Sequence, residues 1–119
     1  MKFFSPFFVL VIVLLFQLSA CASKGNFDIR GKWEYTMTAA DGNTYDTGTI
    51  TFNGEPAKGT YHEVNIYQVN YSGEYSMNGA VLNLTGSETW KGEFVGTNSI
   101  KGIWRHNDGV SGTFIALRK

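Results

Sequence analysis

From residue 31 to the end of the chain, apolar and polar side chains alternate, and turn-forming residues interrupt the alternation at short intervals. In the first such stretch, Trp33, Tyr35 and Met37 are separated by charged or hydroxyl side chains. A period of two is typical of a strand with one buried and one exposed face. Asn-Gly and Asp-Gly pairs supply the positive φ angles that tight hairpins need. The turn signals lie at residues 41–43, 53–54, 78–79, 97–98 and 107–109.

Between these turns the pattern predicts eight strands, and no segment after residue 31 carries a helical pattern. Short strands joined only by turns favour closure into a barrel, because closure leaves no unpaired strand edge. The predicted fold is therefore all-β, a small antiparallel up-and-down barrel of about eight strands. The predicted strands are 31–38, 46–53, 58–67, 70–77, 80–85, 89–96, 100–106 and 112–118.

The first twenty residues have the pattern of a secretory signal. Lys2 precedes an apolar run from Phe3 to Phe16, which is too short for a lasting transmembrane helix. Residues 18–21, Leu-Ser-Ala-Cys, resemble the lipobox of bacterial lipoproteins at every position. The resemblance implies a diacylglycerol thioether on Cys21, cleavage before that residue, and acylation of the new amine by a chain such as palmitate.

This interpretation divides the chain into a cleaved signal peptide (1–20), a lipidated tether (21–30) and a barrel domain (31–119). Ala22 follows the cysteine where an aspartate would imply retention in the inner membrane of enteric-type bacteria. The resemblance therefore implies an anchor in the outer membrane, on its periplasmic face. Because Cys21 is the single cysteine, the mature chain can form no internal disulfide and its fold depends on its core.

The start of the barrel domain is similar to the first strand of lipocalins and related calycin barrels, which carries a Gly-x-Trp motif matched by Gly31 and Trp33. In that family a basic residue on the last strand packs across the tryptophan at the closed end, and Arg118 is the matching residue. The domain is shorter than a typical lipocalin and lacks a Thr-Asp-Tyr motif. Ile115 and Leu117 make the other face of the last strand apolar too, so its register stays open. The resemblance sets Trp33 opposite Arg118, Tyr35 opposite Ala116 and Met37 opposite Phe114.

Charge and motif content argue against several function classes. Without residues 1–20 the chain has nine Lys or Arg against ten Asp or Glu, so no nucleic-acid partner is expected. His62 and His106 are the two histidines, and nothing in their spacing predicts a metal site or another cofactor. The acidic residues are assigned to outward strand positions, which leaves no carboxylate pair, and no nucleophile motif is found. The sequence therefore predicts no enzymatic activity.

The aromatic residues are the remaining functional candidates. Thirteen of them in residues 21–119 can fill the interior of an eight-stranded barrel. Alternatively, some line a modest apolar cavity at the end away from Trp33 and Arg118, where glycines such as Gly73 and Gly92 leave space between the rings. The candidate cavity-lining residues are Tyr71, Tyr75, Trp90, Phe94 and Trp104.

Two function classes follow from this inventory. The leading hypothesis is a lipid-anchored envelope protein that binds a small apolar or amphipathic ligand without catalysing a reaction. The alternative is a protein-interaction module of the envelope, such as a hydrolase inhibitor or a structural lipoprotein. The membrane, through the lipid on Cys21, is a partner in both.

Overall fold

A computed structural model describes residues 27–119 as eight antiparallel strands that close into one barrel, with each strand paired to its neighbours in the sequence. The predicted fold class is confirmed. Within residues 27–119 no helix is long and apolar enough to cross a membrane. The predicted signal peptide, Cys21 and most of the tether lie outside the described residues. The strands are β1 (Gly31–Ala39), β2 (Thr44–Gly54), β3 (Lys58–Asn65), β4 (Asn70–Asn78), β5 (Val81–Thr85), β6 (Glu88–Phe94), β7 (Ser99–His106) and β8 (Ser111–Arg118).

One difference from the predicted bounds is at the β3–β4 connection. The third strand was expected to reach residue 67, but β3 ends at Asn65 and residues 66–69 form the turn. The turn contains Gln68 at φ 64°, the one non-glycine residue of the described range with a positive φ. Since this conformation favours Gly or Asn, a glutamine gives no sequence signal for the turn.

The barrel closes where β1 pairs with β8, in the register that the resemblance implied. Trp33 faces Arg118, Tyr35 faces Ala116 and Met37 faces Phe114. Ile115 and Leu117 therefore point outward, and Leu117 is half exposed. In this register Phe114 and Ala116 are buried, so the apolar side chains on the outer face of β8 are not part of the core.

The interior of the barrel is filled by side chains, and aromatic rings occupy the space above its glycines. A Cβ on Gly73 would lie 2.7 Å from ring atoms of Tyr61, and a Cβ on Gly92 would lie 2.6 Å from the Phe114 ring. The glycines were expected to open space between the rings, and this expectation is wrong at both positions: the neighbouring rings lie in the space that the missing side chains leave. The buried hydrophobic core comprises Ile29, Trp33, Tyr35, Met37, Ile50, Phe52, Tyr61, Tyr75, Leu82, Leu84, Trp90, Phe94, Ile100, Trp104, Phe114 and Ala116.

Candidate binding site at the open end of the barrel

The two ends of the barrel are built differently. We call the end that carries residues 27–30, the turns 55–57, 79–80 and 95–98, and Arg118 the closed end. The open end carries the turns 40–43, 66–69, 86–87 and 107–110.

The closed end is sealed by the N-terminal segment and by Arg118. The guanidinium carbon lies 4.4 Å from the centre of the Trp33 ring, a cation–π contact. The same guanidinium donates to the carbonyl oxygens of Asp28, at 2.6 Å, and Arg30, at 3.1 Å, while the Trp33 indole N–H donates to the Ile29 carbonyl at 2.8 Å. Ile29 is fully buried. Residues 27–30, expected to belong to a tether, are therefore part of the barrel.

At the open end, the interior becomes polar and acidic. Glu63 on β3 is 1% exposed, and one carboxylate oxygen accepts a hydrogen bond of 2.7 Å from the Tyr35 hydroxyl. Burial raises the pKa of Glu63 to about 7, although the Tyr35 hydrogen bond opposes the shift, and the negative charges of Glu88 and Asp46 add to it. The same burial, with the Glu63 charge, raises the pKa of Tyr35. Glu63 is thus a carboxyl group that titrates near neutral pH.

Glu88, the first residue of β6, is the second buried acid. Its side chain is 6% exposed, and its Oε2 atom is buried with no hydrogen-bond partner. Burial raises the pKa of Glu88; the positive charge of His106, which faces it on β7, and the Trp90 indole oppose the shift. His106 also contacts Asp108, with 3.2 Å between Nδ1 and the carboxylate oxygen. An acceptor atom without a donor is rare in a protein interior, because its desolvation is not compensated.

A β-bulge adds two more side chains to this end. Met37 pairs with Asp46 but Thr38 pairs with Thr44, so Tyr45 is an extra residue in β2. Tyr45 stacks on the buried Trp104, with ring centres 4.4 Å apart, and remains 44% exposed. Asp46 approaches the amide of the buried Asn65 at 3.4 Å. The bulge therefore brings an aromatic ring and a carboxylate next to the two buried acids.

The five predicted cavity-lining residues are divided between the two ends. Trp104 lies under Tyr45, and Tyr71 faces Glu63 across the β3–β4 pair. Trp90 packs against the Tyr35 ring, with centres 5.4 Å apart, in the same half of the interior. The other two lie at the closed end: the Tyr75 hydroxyl donates to the Glu55 carbonyl, and Phe94 packs on Phe27 and Trp33.

Sequence reasoning missed the two buried acids. All acidic residues were assigned to outward positions, and this assignment is wrong for Glu63 and Glu88. A signal was present: Glu63 is in phase with the buried Tyr61, and Glu88 is in phase with the buried Trp90. The predicted sixth strand began at residue 89, which left Glu88 in a turn.

Exposed apolar side chains surround the open end. We call this set the open-end rim; it consists of Tyr45, Ile66, Tyr67, Val69 and Val110. Its most exposed members are Ile66 and Tyr67 in the β3–β4 turn, which are 61% and 77% exposed.

A separate groove of about 620 Å³ crosses the outer face of β5–β8 beside Ile103. Its lining includes the exposed residues Thr89 and Arg105 and also three buried residues, Leu84, Trp90 and Trp104.

The open end thus combines buried carboxylates, partly exposed aromatic rings and an apolar rim. In the part of the chain that the structure describes, no three His, Cys, Asp or Glu side chains converge as metal ligands would. Carboxylates accept hydrogen bonds and attract positive charge, and aromatic faces attract cations and apolar groups. The arrangement can therefore accept hydrogen bonds, attract positive charge and contact apolar groups.

Comparisons with known proteins support the fold. No protein-family model and no curated protein sequence matches the chain. Among solved structures, it is similar to a redesigned β-barrel, at a TM-score of 0.62 and 19% identity over 76% of this chain and 91% of that one. It is also similar to a de novo designed fluorescence-activating β-barrel, at a TM-score of 0.57 and 16% identity over 82% of this chain and 97% of that one. A further redesigned barrel, bound to DFHBI, has a TM-score of 0.58 and 18% identity over 76% of this chain and 94% of its own.

Proposed function

We propose that this chain is a lipid-anchored protein of the bacterial envelope whose barrel binds a small amphipathic ligand, without catalysis, at the open end. The observation that carries the proposal is Glu88, a buried side chain with an unpartnered acceptor oxygen at the same end of the barrel as the partly exposed Tyr45 ring. A protein gains nothing in stability from such a group, whereas a ligand that donates to it removes the desolvation cost on binding.

The packing of the interior supports the open end over the centre of the barrel. The rings of Tyr61 and Phe114 occupy the space above Gly73 and Gly92, so these two glycines leave no room for a ligand in the middle of the barrel. At the open end, Tyr45 is half exposed and belongs to a bulged strand segment. Bulges occur often beside binding sites because they redirect side chains. A ligand would therefore enter from the rim and contact Tyr45, Tyr71 and the acids below them.

The similar solved structures support a ligand-binding barrel in one respect. Two of the similar solved structures have DFHBI bound, with TM-scores of 0.58 and 0.59 to this chain. A barrel of this size and strand number can therefore hold a small organic molecule.

An anchor at Cys21 would orient this site. Phe27 packs on Phe94 at the closed end, and Cys21 is six residues upstream in the sequence. Six extended residues span about 20 Å. A lipid on Cys21 would therefore hold the closed end towards the membrane and leave the open end facing away from it.

Ligand binding can be tested with the mature chain, residues 21–119, carrying Cys21→Ala. We expect a small amphiphile to change tryptophan fluorescence, because Trp90 and Trp104 lie in the same half of the interior as the acids, and to raise the melting temperature by mass action. Tyr45→Ala should weaken both responses, whereas Leu117→Ala, on the outer face, is the matched control. No response to any amphiphile in a broad panel would contradict the proposal.

The anchor has its own test. Cys21→Ala should abolish the incorporation of labelled palmitate and the removal of residues 1–20, because the thiol is the acylated group. A wild-type chain that is released in soluble, unacylated form from the periplasm would contradict the lipoprotein assignment.

One observation favours the second candidate function, a protein-interaction module such as an inhibitor of a cell-wall hydrolase. Ile66 and Tyr67 are exposed side by side in the rim, and aromatic residues are enriched at protein interfaces. The purified chain should then inhibit a lysozyme-type hydrolase, and the double variant Ile66→Ser/Tyr67→Ser should lose this inhibition. Wild-type chain without inhibitory activity would exclude this partner class.

A further inference from the structure

We infer that the ligand of the open end is a small organic cation, and that Glu88 is its counter-ion. The inference rests on the proposed ligand-binding function and names the chemical class of the ligand. It departs from the sequence-based expectation of an apolar ligand, because that expectation assigned all acids to the outside of the barrel.

The charge distribution is the first argument. Glu63 and Glu88 are buried at the open end, and Asp46 lies beside them. The basic side chains of the strands around Glu88 point to the outer surface, where they are exposed: Lys91 on β6, and Lys101 and Arg105 on β7. His106 is the one basic group facing Glu88 within the described residues, and it also contacts Asp108. When the two buried carboxyl groups are ionised, the interior at this end therefore has a surplus of negative charge.

The unpartnered oxygen is the second and independent argument. Charged groups in protein interiors are paired or hydrogen-bonded, since an unpaired one is costly. Glu63 obeys this rule through Tyr35, but Oε2 of Glu88 has no partner among the described residues. A ligand cation would supply the missing partner of this oxygen, either as a hydrogen-bond donor or as a positive charge beside it.

The aromatic surroundings indicate which kind of cation fits. Tyr45 and Trp104 stack at the entrance, and Tyr71 faces Glu63. Ring faces bind cations whose charge is spread over apolar groups, such as alkylated ammonium ions. Small metal ions need several converging oxygen ligands, and no such group of acidic side chains occurs among residues 27–119. Anionic amphiphiles such as fatty acids would be repelled by the same carboxylates.

Three probes of one shape test the charge preference: phenyltrimethylammonium, its uncharged isostere tert-butylbenzene, and the anion benzenesulfonate. Each is titrated at about pH 8 into the mature Cys21→Ala chain, with binding followed by NMR shifts. The expected order of affinity is cation, neutral, anion, and the cation should bind about tenfold or more tightly than its isostere, as charge complementarity predicts. If the isostere or the anion binds at the open end as tightly as the cation, the inference is wrong but the proposed function stands. If none of them binds there, the proposed function is also contradicted for ligands of this size.

The role of Glu88 is tested by Glu88→Gln, with Glu93→Gln, an exposed acid on the same strand, as the matched control. The first variant should bind phenyltrimethylammonium about tenfold more weakly, since it loses one charge contact, and should bind tert-butylbenzene unchanged. The control should alter neither. Equal losses for both probes would show a packing defect and would overturn the assignment of Glu88 as counter-ion. Discrimination between the probes by the wild-type chain provides a test that does not depend on the folding of either variant.

Discussion

The closed and open ends use the same alternating strands for opposite purposes. At the closed end, the Arg118 guanidinium lies over Trp33 and donates to backbone carbonyl oxygens, while the Trp33 indole N–H also has an acceptor. At the open end, Glu88 is buried with an unpartnered oxygen and Tyr45 is half exposed. Stabilising contacts are therefore concentrated at the closed end, whereas the open end keeps buried polar groups that lower stability. Such groups are typical of binding sites.

The largest expected effect is at the closed end. Trp33 is fully buried, so Trp33→Ala should lower the free energy of unfolding by about 3–5 kcal/mol. Tyr45→Ala, at the open end, should lower the free energy of unfolding by much less, because the ring is 44% exposed. Urea denaturation of both variants measures the difference. If the two losses are equal, the contrast between the ends does not hold.

The second effect is a pH dependence that comes from the open end. Burial raises the pKa of Glu63 from 4.5 to about 7, so between these values the folded chain holds a proton that the unfolded chain has released. Stability from this group is therefore complete below about pH 4.5 and is lost as pH rises through 7, by an amount on the order of 3 kcal/mol. The groups that face it are Tyr35, Asp46, Tyr71 and Glu88.

The measurement is urea denaturation across this pH range for the wild type and for Glu63→Gln, which keeps an acceptor for Tyr35 but does not titrate. The variant should show a flatter profile, and Glu74→Gln, at an exposed position of β4, should follow the wild type. A wild-type stability that rises between pH 5 and 7, with no change in Glu63→Gln, would contradict the assignment.

The third effect is a gain in stability at the open end. Replacing a buried acid that has an unpartnered oxygen by an apolar side chain of similar size removes its desolvation cost, so Glu88→Met should stabilise the fold by about 1–3 kcal/mol. Glu93→Met, which is exposed, should change stability by less than about 0.5 kcal/mol. Thermal and urea unfolding at about pH 8 give both values. A clear loss of stability in Glu88→Met would show that Glu88 supports the fold.

The smallest expected effect concerns the contact between Trp33 and Arg118 at the closed end. A double-mutant cycle of Trp33→Leu and Arg118→Gln should show a coupling of about 0.5–2 kcal/mol, because the guanidinium lies 4.4 Å from the ring centre. Additive losses would mean that Arg118 acts only through its hydrogen bonds to carbonyl oxygens.

The same contrast explains how much of the molecule was predictable. Hairpin signals and the period of two predicted the number of strands and most of their bounds to within one residue. The resemblance at Gly31-x-Trp33 implied the β1–β8 register. It could be recognised because the motif itself is a short, local stretch of sequence. The turn between β3 and β4 was predicted too short, since a glutamine rarely takes a positive φ and Gln68 gives no signal for it.

The open end was less predictable for physical reasons. A fully buried Glu is rare, so charged residues are assigned to the outside unless their phase along the strand is followed, as it should be for Glu63 and Glu88. The bulge at Tyr45 has no sequence signature of its own. It depends on the pairing of β2 with β1 around the closed sheet, which is a property of the whole barrel.

The most direct test of the contrast between the two ends is a map of backbone amide shifts in the mature Cys21→Ala chain during titration with phenyltrimethylammonium. We expect the shifted amides to concentrate at the open end, around Asp46, Glu63, Tyr71 and Glu88, with little change at Trp33 or Arg118. Shifts concentrated at the closed end, or in the outer groove beside Ile103, would contradict this expectation.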